Sequence, residues 1–320
     1  MVRLRSSDAL EATFALDVGM TCCSLRYRGV ELLGERLGLA AYAHEGVTMG
    51  MTLTHPWADR IASWSYTACG ATVHLPISPL LHTDRWGLPV NGVQPRDHAW
   101  VLESTGAGQE SAWLEATLPF DSDPRALELF PFPHRLRLRA EVSGNRLCIA
   151  TTIEATSTVP VPACYGCRVY LRYAARAGAT IVLPARLDIV TDERLLPTGE
   201  TRPQGTSVSR PGLDELHEVF LLGIDHRLTL VSEERRLTVE STGGFPLAQV
   251  RSIASEPHVM VEALTAAPDA LSRGAFPVAR SGQPHRATLR LSVDELSHRD
   301  DELSQRDDEL SHGNDTLNSV

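Results

Sequence analysis

The sequence contains no lysine; all 30 of its basic residues are arginine. That bias reflects the coding sequence more than the protein, and no function is read from it. A basic stripe is also missing. The formal net charge is -10, which argues against nucleic acid as a partner. No apolar run is long enough to cross a membrane. The opening residues, MVRLRSSDALEATFALDVG, place Asp8 and Glu11 ahead of any apolar stretch and lack the apolar core of a secretory signal, so a cytoplasmic location is expected. The six cysteines, at 22, 23, 69, 148, 164 and 167, are too few for a disulfide framework in so long a chain. The pair Cys164-x-x-Cys167 lies between VPVPA and RVYLRY, flanks that read as strand. Residues three apart on a strand face opposite ways, so neither a dithiol nor half of a zinc site is expected. Walker, Rossmann, HExxH and GxSxG signatures are absent as well. No metal or organic cofactor is expected.

Period-two alternation dominates what is present. In RLRLRAEV, Leu136, Leu138, Ala140 and Val142 fall on one face and Arg135, Arg137, Arg139 and Glu141 on the other. Ser143-Gly144-Asn145 then supplies a turn before LCIATTIEA, the pattern of a hairpin with one solvated face. Similar short runs recur, among them RVYLRY, RLTLVS, RRLTVES, HVMVEAL and ATLRLSV. Helical periodicity is scarce. The reading is an all-β chain, a large antiparallel β-sandwich or barrel.

The last segment differs. DELSHRD, DELSQRD and DELSHGN repeat every seven residues from Asp294, with Leu296, Leu303, Leu310 and Leu317 in register. A coiled-coil seam needs a second apolar position per heptad, and none exists here. Residues 294–320 carry nine acids against two arginines. They are expected to form an acidic, disordered tail after a single domain spanning 1–293.

Within the β-rich body, polar residues collect among Pro and Gly in THPWADRIAS (54–63), GLPVNGVQPRDHAW (87–100), PACYGCRVYLR (162–172) and VMVEALTAAPDAL (259–271). With GVELLG, LFPFPHRLRL and Leu196-Pro197-Thr198-Gly199, their order and spacing resemble the aldose 1-epimerase (galactose mutarotase) family from about Glu11 to Ser292. The resemblance implies a galactose mutarotase-like β-sandwich with a sugar bound in an open cleft. It also implies interconversion of α and β anomers by a paired acid and base. Glu262 matches the family's base, although Ala263 stands where the family has proline. Arg60 matches its sugar-binding arginine.

Two family histidines are missing. Asn91 stands in Leu88-Pro89-Val90-Asn91-Gly92 where the family has His, and Arg168 stands in Gly166-Cys167-Arg168-Val169-Tyr170 where it has the acid His. A guanidinium, with a pKa above about 12, does not give up a proton at neutral pH. His217 aligns with a family aspartate and is the foremost substitute acid, since imidazole titrates in the useful range. Tyr170, Cys167 and His98 rank behind it, and Asp214 or Glu218 could replace the aspartate. Two functions are therefore expected of the site. One is an aldose 1-epimerase-type isomerase with a rebuilt acid. The other is a non-catalytic carbohydrate-binding member, with Arg60, Asn91, Arg168 and Tyr170 holding a sugar and Trp57 or Trp86 covering its apolar face. The second arginine would favour an anionic sugar, unless Glu262 neutralises Arg168. A third possibility keeps the cleft and changes the reaction.

Overall fold

The computed structural model describes residues 1–93, 100–174, 178–252 and 256–296. The acidic repeat from 297 onward and His98 lie outside the described residues. Two antiparallel sheets dominate, with eleven and nine strands among the described residues. The first runs Val2–Arg5, Leu10–Ala15, Thr21–Tyr27, Met51–Thr54, Gly166–Arg172, His258–Leu264, Leu247–Ser252, His217–Leu222, Arg186–Thr191, Pro197–Gln204, with the short strand Val30–Glu31 also paired to Thr21–Tyr27. The second is centred on His134–Ser143, Arg146–Ala155, His285–Glu295 and Arg235–Gly243. The protein is a β-sandwich.

Alternation fixes which side chains meet between the sheets. Leu136, Leu138, Ala140 and Val142 are buried while the arginines between them are not. They join Leu147, Ile149, Leu289 and Leu291 of their own sheet and Phe14, Val169, Phe220, Val250 and Val261 of the other in one core. Ser143 pairs directly with Arg146, so the hairpin turns on Gly144-Asn145 alone. Gly144 has φ 55°, the positive value that a two-residue turn requires at this position.

The closing strand passes beyond Val293. Asp294 and Glu295 remain in it, opposite Arg236 and Arg235. Opposed charges across a strand pair are stabilising, which accounts for the first two acids of the repeat adding to the sheet.

Candidate functional site

Residues that alternate with the core positions project from the outer face of the first sheet. Register aligns them in rows. Thr52, Arg168, Glu262 and Gln249 stand opposite one another across four neighbouring strands. One step along, Tyr170, Met260, Arg251 and His217 form the next row. The strands are ordinary, since Val169, Val261 and Val250 are buried in the core. The polar residues between them would be solvent-facing if nothing covered them.

The segment 54–93 covers them. Asp59, Asn91 and Gly92 have φ of 52°, 61° and 72°, a region that Asn and Asp tolerate better than other side-chain-bearing residues. A Cβ on Gly92 would lie 2.2 Å from the His55 carbonyl oxygen, so glycine is required for this close approach. The Asn91 N–H donates to the Asp59 carbonyl at 2.6 Å, which brings the Asn91 side chain onto Arg168. Between this cover and the sheet lies an open cleft of about 190 Å³ lined by Arg60, Asn91, Arg168, Tyr170, His217 and Gln249, among others.

Glu262 is 0% exposed. Its Oε2 accepts from Arg168 Nε at 2.9 Å and Nη2 at 2.7 Å, and its Oε1 accepts from Thr54 Oγ1 at 2.7 Å. Arg168 Nη2 also donates to Asn91 Oδ1 at 2.9 Å. Burial, the largest single influence, lowers the Arg168 pKa, but Glu262 together with Tyr170 and Asp59 outweighs it and raises the value. The guanidinium therefore stays charged and lies between Glu262 and the cleft. Glu262 itself does not line the cleft.

His217 lies in the cleft wall with its pKa lowered to about 4, by burial first and then by Arg251. Gln249 Nε2 lies 3.1 Å from Asp59 Oδ2 and 3.3 Å from His217 Nε2. The amide nitrogen carries two hydrogens, so it donates to both, and the His217 lone pair on Nε2 is taken. The ring is neutral near pH 7 with its proton on Nδ1. Arg60 donates through Nε to Asp84 Oδ2 at 3.0 Å and lies over the Trp86 ring at 5.5 Å, while Arg85 lies over the same ring at 4.1 Å. The Tyr170 hydroxyl is 2.7 Å from Thr48 Oγ1.

Several sequence expectations change on this geometry. Trp57 is not at the cleft. It is 1% exposed, belongs to the core, and packs against Tyr66 at 6.2 Å; its neighbour Ala58 donates its N–H to the Cys164 carbonyl and ties the segment down. Cys167 faces inward, and its thiol is pushed up to about 12 by burial first and Glu262 second. Asp214 accepts from the Arg210 N–H, and Glu218 pairs with Arg186, so neither lines the cleft. Conversely, Asp59, Asp84, Gln249, Arg251 and His258 do line it, although the family resemblance assigned none of them a role. For Gln249 and Arg251 a signal existed. In LAQVRS they are two polar residues alternating with apolar ones, hence one face of a strand. Among the described residues no group of three His, Cys, Asp or Glu could hold a metal ion, and no helix is long and apolar enough to span a membrane.

The aldose 1-epimerase family model matches residues 1–292. The chain belongs to the aldose 1-epimerase family. No curated protein matches it. Among solved structures it is similar to a galactose mutarotase-like protein from Clostridium acetobutylicum (TM-score 0.76, 15% identity, 92% of this chain and 95% of that one). It is similar as well to galactose 1-epimerase from Lactobacillus acidophilus NCFM (0.75, 16%, 92% and 94%) and to the GalM/aldose epimerase homologue from C. elegans (0.70, 13%, 92% and 99%). At such identities the likeness speaks for the fold. The galactose mutarotase-like sandwich expected from the sequence is the fold observed.

Proposed function

We propose that this member of the aldose 1-epimerase family binds a sugar in the cleft without mutarotating it. One observation carries the reading: Arg168 occupies the carboxylate of Glu262. A general base must come within about 2.6–3.2 Å of the proton it takes, directly or through one water. Glu262 has both oxygens engaged and no exposed surface. The acid side is equally weak. Asn91 cannot shuttle a proton, Arg168 does not release one, and neutral His217 has no acidic proton to give at pH 7. The remaining groups suit hydroxyl recognition, with donors on Arg60 and Asn91 and an acceptor on Asp84.

A second reading, turnover as an epimerase-type isomerase, is favoured by Glu262 standing where the family has its base and by His217 in the cleft wall. It requires Arg168 to leave Glu262. The two readings divide on Arg168→His and on the double variant Arg168→His with Asn91→His, assayed by polarimetry on α-D-glucose and α-D-galactose. General acid–base catalysis contributes about 10²–10⁴-fold. The double variant should therefore gain at least about tenfold over wild type, because the carboxylate is released and titratable groups return. A wild type that already accelerates mutarotation, with no gain in the variants, would overturn the proposal.

A further inference from the structure

The cleft contains four arginines, Arg36, Arg60, Arg168 and Arg251, and three of them are neutralised. Arg168 has Glu262 at 2.7 Å. Arg60 has Asp84 at 3.0 Å and Asp59 at 3.5 Å. Arg36 has Glu256 at 3.6 Å, which His258 also meets at 2.5 Å. Arg251 forms no ion pair among the described residues. Four carboxylates therefore face four arginines, and Arg251 is the arginine that none of them contacts among the described residues.

The surroundings of Arg251 are organised. It stands directly opposite His217 in the register of two neighbouring strands, so both side chains leave the same face side by side. Gln249 holds His217 through Nε2, which leaves the Nδ1–H as a donor with no hydrogen-bond partner among the described residues. A neutral imidazole here avoids like-charge repulsion with Arg251, the largest charged contribution lowering its pKa, and it keeps a donor beside the guanidinium. In the same wall, Gln249 is 3% exposed and its Oε1 has no hydrogen-bond partner. A buried acceptor left unpaired costs free energy.

We infer that Arg251 and the His217 Nδ1–H form a carboxylate subsite, so that the cleft selects sugar acids, with a carboxylate in place of a hydroxymethyl group, over neutral sugars. This rests on the sugar-binding reading above and adds the ligand class. A carboxylate has two acceptor oxygens to meet the two donors, the Arg251 guanidinium and the His217 Nδ1–H. Guanidinium–carboxylate hydrogen bonds are charge-assisted and stronger than those to a hydroxyl.

The test is calorimetric titration of the full chain, wild type and Arg251→Gln, with D-glucuronate, D-galacturonate, D-glucose, D-galactose and D-glucose 6-phosphate at low salt. The expected result is a Kd for one uronate about tenfold or more below that of its neutral counterpart, a difference of about 1.4 kcal/mol per decade. Arg251→Gln should erase this preference, bringing the uronate Kd to within about twofold of that of its neutral counterpart. Arg251 is an exposed residue, so the variant should fold, and a thermal melt verifies it. A second readout is the imidazole of His217, whose pKa should rise from about 4 when the carboxylate sits beside it, as followed by NMR. Equal affinity for uronates and neutral sugars overturns the subsite and leaves sugar binding standing. Tighter binding of the 6-phosphate than of either uronate overturns the choice of carboxylate as the ligand group. Binding of none of the five overturns both.

Discussion

Arg168 and Glu262 make a buried ion pair with both partners hydrogen-bonded. Removing one partner of such a pair leaves an uncompensated buried charge and typically costs about 3–5 kcal/mol, whereas replacing both by apolar residues is often neutral or stabilising. Arg168→Met should therefore lower the urea midpoint markedly, by about 3 kcal/mol or more of stability on that scale. The double variant Arg168→Met with Glu262→Leu should recover most of the loss. Equal losses in the two would mean that the pair matters to stability through packing alone. The substitution of Arg168 was legible in the sequence as a departure from the family. Its consequence for Glu262 required the register, which places Arg168 and Glu262 opposite each other on adjacent strands. Trp57 was misread for a physical reason. An aromatic residue beside Pro56 and near an expected sugar-binding arginine reads as a stacking platform, and only the cover's return onto the sheet shows it buried.

At the scale of elements, the strand Gly166–Arg172 has every residue buried except its last, because the sandwich core lies on one side and the cover on the other. Gly166 has no space for a side chain. A Cβ there would lie 2.8 Å from Glu262 Oε1, 2.8 Å from Thr54 Oγ1 and 3.0 Å from the Ala58 Cβ. Overpacking a tight site costs about 1–3 kcal/mol. Gly166→Ala should destabilise by that order in a denaturant titration and should weaken sugar binding as well, since Thr54 and Glu262 must move. An unchanged midpoint would show that the cover yields freely. Strands of this kind were legible from alternation wherever one face is polar, as in His134–Ser143. The site strands were less so, because cover and core bury both faces, and a polar residue such as Glu262 in VMVEAL then reads as one interruption in an apolar run. The 54–93 cover has little periodicity, and its course depends on positive-φ positions such as Asp59 and Asn91 that composition does not announce.

Over the whole molecule, the histidines with resolved shifts are held neutral. The pKa of His134 is lowered to about 4 by burial. Its Nδ1–H donates to the Phe132 carbonyl at 2.6 Å, and its Nε2 accepts from His55 Nε2 at 3.0 Å. The pKa values of His217, His258 and His285 are lowered too, each by burial first. A folded state that resists protonation binds fewer protons than the unfolded chain once the pH falls below about 6.5. Stability should be complete above that pH and decline as pH falls towards 4, with His134 alone contributing about 3 kcal/mol across the window. Chemical denaturation at pH 7.5 and pH 5 should show the loss, and His134→Gln should make it smaller. A midpoint independent of pH over this range would contradict the neutral assignment.

The most direct measurement of the central claim, that Arg168 withholds Glu262 from proton transfer, is anomer equilibration followed by proton NMR. Freshly dissolved α-D-glucose and α-D-galactose are each mixed with wild type, with Glu262→Gln, or with buffer. The account predicts the same rate in all three, with sugar contacts seen by saturation transfer. Acceleration by wild type that disappears in Glu262→Gln would contradict it, because Glu262 would then be acting as the base beneath Arg168.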